Sequence, residues 1–185
     1  AVAAHDAHNH TINLIAAIVA TVAILRVIVA YALPYRKRGN VRMLELMFEF
    51  GAFSYALSLG VLAAACIALN VPPVTQLMML TAAVAYGAGI SARNAGRLPI
   101  AIGQLLLAVS PACLVLISRP DITSRVLAVS MGLFVLAMIS IALNVFKVLR
   151  DSIAAAETSA RLAERMQILA RSDVVTGLHN RAGLD

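Results

Sequence analysis

Apolar residues along this chain fall into five long blocks, at about 11–33, 44–71, 74–90, 98–118 and 123–147, and polar or turn-forming residues occupy the short gaps. Each block comes near the roughly 20 apolar residues that carry a helix through a bilayer, so each predicts a membrane-spanning helix. The gaps are punctuated as helix ends should be. Pro34 closes the first block, Pro72 and Pro73 part the second from the third, Gly96 and Pro99 bracket the next turn, and Pro120 precedes the fifth. The third block is the shortest of the five.

From Lys147 the pattern changes. Charged residues enter, yet neither glycine nor proline interrupts the chain before Gly177. Counting by sevens places Val148, Ala155, Leu162 and Leu169 in one register, and Ser152, Ser159 and Met166 in a second. Together they form the seam of a coiled coil over 147–172. Ser152, Ala155 and Ser159 leave its middle weak, whereas Leu162 to Leu169 is stronger. A weak seam suits a switch, because modest input can bias two registers of similar energy. The same pattern also fits an amphipathic helix lying on the inner leaflet or on its own bundle.

Composition supports the membrane reading. Hydrophobic residues make up 61% and charged residues 13%, and mean hydropathy is +0.88, outside the range of soluble domains. The formal charge of +6 does not point to nucleic acid, because the cations sit in loops between apolar blocks and in the C-terminal helix. There they set orientation. Arg36, Lys37, Arg38 and Arg42 fall at the first gap and Arg93 and Arg97 at the third, against Arg119 and Arg125 at the fourth and none at the second. The positive-inside rule then puts the N-terminal tail (1–10) outside, a spanning bundle over 11–146, and the C-terminus in the cytoplasm. Cys66 and Cys113 lie in apolar blocks and read as small buried hydrophobes, with a disulfide between the outer halves of their helices as the alternative.

Polar residues within the blocks are the candidates for function, since a charge at mid-bilayer costs about 2.5–3.5 kcal/mol on insertion scales. Arg26 lies about 12 Å and Glu49 about 10 Å from the inner surface at 1.5 Å per residue. Matching depth predicts an Arg26–Glu49 pair, with Glu45 as alternative partner. It reads either as a structural clamp or as a ligand- or proton-sensing site, and lipid-facing snorkelling is the remaining possibility. Small residues Ala52, Ala56, Gly60, Ala64 and Ala68 recur every four positions on the second block, with Ala85 and Gly89 as a shorter strip on the third. Such strips let helices approach closely. Pro111 predicts a bend in the fourth block. Gln104 and Asn144 are candidates for hydrogen bonds across the bundle. In the N-terminal tail, His5, His8 and His10 could ligate Zn²⁺ or Cu²⁺, or simply be solvated.

The last residues add a resemblance. Asp173-Val-Val-Thr-Gly-Leu-His-Asn-Arg181 is similar to the opening of a GGDEF domain, the diguanylate cyclase module, matching at Asp173, Thr176, Gly177, Leu178, Asn180 and Arg181 and departing at Val175. The segment from Tyr86 to Pro99, and Phe48-Glu-Phe-Gly-Ala52, resemble membrane regions that precede GGDEF and GGDEF–EAL proteins. The resemblance implies an all-α integral membrane bundle of five transmembrane helices. It would continue into a cytoplasmic coiled-coil signalling helix and stop at the start (173–185) of an α/β GGDEF domain. It implies an inner-membrane, parallel homodimeric sensor that controls synthesis of cyclic di-GMP from two GTP, with Mg²⁺ or Mn²⁺ in a catalytic domain beyond Asp185. Asp173 and Arg181 would then bracket the junction turn, and no catalytic residue falls in this stretch. A GGDEF–EAL phosphodiesterase is the close alternative; a membrane assembly subunit or small transporter is the distant one.

Overall fold

The computed structural model describes residues 10–32, 41–94 and 96–171. They form five helices in chain order: α1 His10–Ala32, α2 Val41–Ala68, α3 Pro73–Arg93, α4 Leu98–Ile117 and α5 Ile122–Arg171. The fold is an all-α, five-helix bundle, and all five helices are long and apolar enough to cross a membrane. His5 and His8 of the N-terminal tail, the cations Arg36, Lys37 and Arg38, and the Asp173–Arg181 junction lie outside the described residues.

Local chemistry accounts for the helix ends. Asn70 takes a left-handed backbone, φ 52°, one of the few side chains that tolerate it. With that turn, Asn70 N–H donates to Ile67 O and Val71 N–H to Cys66 O, each at 3.2 Å, the paired bonds that close a Schellman cap. Val71 and Cys66 complete the cap by packing in one apolar cluster. Pro73 then starts α3 at a position where no N–H is needed.

At the same end, Arg119 reaches from the α4–α5 turn to α2. Its guanidinium donates to Asn70 Oδ1 at 2.7 Å and to the Ile67 carbonyl, placing a cation on the negative end of that helix. Arg125 Nε donates to the Arg119 carbonyl at 3.1 Å. Replacing Arg119 with Ala removes two charge-assisted bonds and lowers stability by about 1–3 kcal/mol. Arg119→Lys restores only part of this, because an ammonium lacks the fork that serves two acceptors. Thermal unfolding in detergent reads both.

Asp121 caps α5 by accepting the Ser124 N–H at 2.8 Å. Hydrogen bonds from the Ser124 hydroxyl and backbone hold its carboxyl below the ordinary value of 3.8. A lowered folded value means the contribution is complete above pH 3.8 and fades as pH falls through the folded value. Protection of the Ser124 amide, its exchange rate taken relative to the intrinsic rate at each pH, should therefore fall on acidification in the wild type. Asp121→Asn, an equally good cap without a titrating group, should flatten that dependence.

The core lies where α2, α3, α4 and the first part of α5 meet. Ala56, Leu59, Ala63, Ile67, Leu80, Leu105, Val109, Ala112 and Leu116 are buried together, and Ala128 and Met131 of α5 join them. On α2 the inward track is Ala52, Ala56, Gly60, Ala63 and Ile67, while Ala64 is half-buried and Ala68 exposed. The four-residue strip read from sequence thus turns aside after Gly60. Each step of four overshoots a helical turn by about 40°, and a step of three brings the track back. On α3 the inward residues are Ala83, Gly87, Ile90 and Ser91, and Ala85 and Gly89 face outward. The strip expected at Ala85 and Gly89 does not pack against another of the described helices.

α4 runs helically through Pro111. Proline has no N–H for the carbonyl four residues earlier, that of Leu107. That carbonyl faces α2 at Gly60, where a Cβ would collide with Leu107 O and come within 2.8 Å of Ala108 O. A glycine opposite a proline-freed carbonyl is what brings the two backbones together. α1 joins through a separate cluster in which Ile12 is fully buried beside Leu62, Cys66 and Val71. Cys66 and Cys113 are both free thiols.

Residues from Asn144 form a second unit. Its described part is helical, and every side chain from Lys147 to Gln167 is exposed.

Candidate functional site

Three helices contribute one polar group each to a cluster among otherwise apolar surroundings. Arg26 of α1 donates from Nη1 to the Tyr86 hydroxyl of α3 at 3.1 Å. Its guanidinium carbon lies 5.6 Å from the ring centroid of Tyr55 on α2. The Tyr55 and Tyr86 rings meet edge to face, 5.1 Å apart at 73°. Cation–π attraction strengthens where water is scarce, to about 2 kcal/mol or more, and it offsets part of the cost of placing a guanidinium among apolar helices. The hydroxyl supplies an acceptor without supplying a charge.

The expected Arg26–Glu49 pair is absent among the described residues, and so is Arg26–Glu45. Both carboxylates go to the start of α4. Arg97 Nη2 lies 2.5 Å from Glu45 Oε1, and Arg97 Nη1 lies 3.9 Å from Glu49 Oε1. Matching depth along the helix leaves direction around it open. Glu45 and Glu49 are four apart and share one face of α2. Phe48 and Tyr55 are seven apart and share another, about 100° away. The second of these faces Arg26.

A cavity of about 420 Å³ opens beside this cluster, lined by Arg26, Arg93, Tyr55, Tyr86, Phe48 and Ile90 among others. Arg26 and Phe48 also line a neighbouring cavity of about 270 Å³ whose other walls are nearly all apolar, including Val22, Leu25, Met47 and Phe50. A third, of about 330 Å³, holds Glu49 and Arg97 with Phe53, Pro99 and Ile100. Volumes of this size suit small-molecule ligands. Arg93 has no hydrogen bond or ion pair among the described residues.

The other polar candidates are dispersed. Gln104 is fully buried, accepts from Asn94 Nδ2 at 3.4 Å, and leaves its own Nε2 without a partner among the described residues. Asn144 is exposed. His10 is exposed, and no group of three metal-ligating side chains occurs among the described residues. Val148, Ser152, Ala155, Ser159, Leu162 and Met166 of the seam are all exposed on one helix, and the Leu169 side chain lies outside the described residues.

Sequence reasoning found Arg26 but missed Tyr55, Tyr86 and Arg93 as its companions. A signal existed. The chain holds no Trp and only 4 Tyr, so a tyrosine inside an apolar block is an uncommon polar group, and Tyr86 and Arg93 are seven apart, two turns along one face. Comparison with known family models, with characterised proteins and with solved structures gives no match.

Proposed function

We propose that this chain is the sensory and transmitting region of a membrane-bound diguanylate cyclase, lodged in a bacterial inner membrane with its C-terminus in the cytoplasm. The observation that carries the reading is the fifth helix. It runs 50 residues, Ile122–Arg171, without a break, from an apolar block to one residue short of Ser172 and the segment similar to a GGDEF opening that follows it. In this reading the first part is a membrane span and the remainder a signalling rod. Leu162 at 53% exposure and Met166 at 71% would then be covered by a second copy of the same helix. Cyclic di-GMP is built from two GTP, each on one catalytic domain, so a parallel dimer that brings two such domains face to face is what the chemistry requires.

Apolar surface supports the membrane assignment. Leu14, Ile18, Ile24, Val27 and Ile28 on α1, and Leu133 and Leu136 on α5, are all about half exposed or more, a surface that water does not tolerate. Two GTP and Mg²⁺ or Mn²⁺ belong to the catalytic domain that the resemblance places beyond Asp185, and no chemical step falls to the described residues. The test is to express the complete gene product in membranes, supply GTP and Mg²⁺, and read product by mass spectrometry. Cyclic di-GMP is the expected product. GTP left intact by a folded, membrane-inserted protein would end this reading, and net hydrolysis of added cyclic di-GMP would move it to the phosphodiesterase alternative.

A further inference from the structure

We infer that the paired cavities at Arg26 form a binding site for an anionic amphiphile, its charged head between Arg26 and Arg93 and one acyl chain in the apolar cavity. A guanidinium has five N–H donors, and Arg26 spends one on Tyr86. No carboxylate among the described residues completes it, because Glu45 and Glu49 are drawn to Arg97 on another face of α2. Arg93 brings a second cation to the same cavity. Two guanidiniums lining one cavity repel each other unless an anion lies between them.

The neighbouring cavity supplies the complementary half. It shares Arg26 and Phe48 with the first, and its other walls are mainly apolar side chains such as Val22, Leu25, Val29 and Met47, with Gly51 beside them. Gly51 has nothing within 4 Å of where a Cβ would stand, so the space over it is free for a chain of methylenes. A soluble anion would leave this half unused, and a neutral lipid would leave both cations unanswered. An acyl chain bearing a phosphate or a carboxylate answers both. Arginine favours such oxyanions through bidentate hydrogen bonds. The two sources of this chemistry are an anionic phospholipid of the bilayer and a free fatty acid.

The inference rests on the bundle lying in a membrane and not on the nature of the output, so binding is read on the chain itself. The purified chain in neutral detergent is titrated with dioleoyl phosphatidylglycerol, uncharged dioleoylglycerol, oleate and inorganic phosphate, and bound states are counted by native mass spectrometry. Phosphatidylglycerol, oleate or both should bind at least about tenfold more tightly than dioleoylglycerol, which lacks the anion and loses charge-assisted contacts worth about that factor each, and than phosphate, which lacks the chain that the apolar cavity buries. Which of the two binds more tightly names the source. Arg93→Gln, at an exposed side chain with no partner among the described residues, should erase the preference without affecting helicity; Arg26→Gln should erase it too, with the loss of its contacts to Tyr86 and Tyr55. Gly51→Leu should weaken the acyl ligand by blocking its channel while helicity is unchanged. Equal binding of the anionic and neutral lipids, or a preference that survives Arg93→Gln and Gly51→Leu, would overturn the inference, as would phosphate binding as tightly as the amphiphile.

Discussion

Gly60→Ala should destabilise the bundle by about 1–3 kcal/mol, although alanine is the better helix former. The new methyl would meet two backbone carbonyls, Leu107 O and Ala108 O, and a backbone cannot swing aside as a side chain can. The neighbouring helix would have to move as a unit, loosening the buried cluster that includes Ala56, Ala63, Ala108 and Ala112. Gly132→Ala is the matched control. Nothing lies within 4 Å of its Cβ position, so that change should be neutral or stabilising by up to about 1 kcal/mol. Opposite signs for two identical substitutions, read as shifts in the thermal midpoint in one detergent, separate close packing from helix propensity. If Pro111 frees the carbonyl that Gly60 covers, Pro111→Ala should leave Gly60→Ala nearly as damaging, because Ala108 O remains 2.8 Å from the added Cβ.

A second large effect is expected at the far end of the chain. Leu162→Asp combined with Met166→Asp should weaken self-association by about a hundredfold or more. Burying a side chain of either kind contributes about 1.5–3 kcal/mol, the loss is doubled in a symmetric dimer, and each decade costs 1.4 kcal/mol. Both residues are exposed in the single chain, so the bundle itself should keep its helicity and thermal midpoint. Sedimentation in detergent, with the wild type alongside, reads the difference. Ser152→Leu with Ser159→Leu should act in the opposite direction, tightening self-association through the weak middle of the seam. Equal association of the Leu162/Met166 variant and the wild type would show that this seam does not hold the dimer.

The sequence made the helices plain and their azimuths obscure. Five apolar blocks divided by Pro34, Pro72, Pro73, Gly96 and Pro120 correspond to five helices, because prolines and the absence of polar residues act locally. Which residues face one another is decided between helices. Arg26 and Glu49 were matched by depth, yet Tyr86, in a segment noted for another reason, takes the guanidinium, and Arg97 takes both carboxylates. The small-residue strip on α2 was legible as far as Gly60, where the four-residue spacing drifts off the contact line. Asn70 and Arg119 gave no warning of their partnership, 49 residues apart, though asparagine just ahead of a Pro-Pro pair is a helix-stop signal. The segment carrying the cyclase resemblance lies outside the described residues.

The most direct measurement places the two ends of the chain relative to a membrane. Alkaline phosphatase, active only outside the cytoplasm, and a green fluorescent reporter, active only within it, are fused in turn after Asp185 and ahead of Ala1. A membrane fraction in which the fluorescent fusion at Asp185 glows and the phosphatase at Ala1 is active is the predicted result. Phosphatase activity at Asp185, or a chain recovered in the soluble fraction, would contradict it.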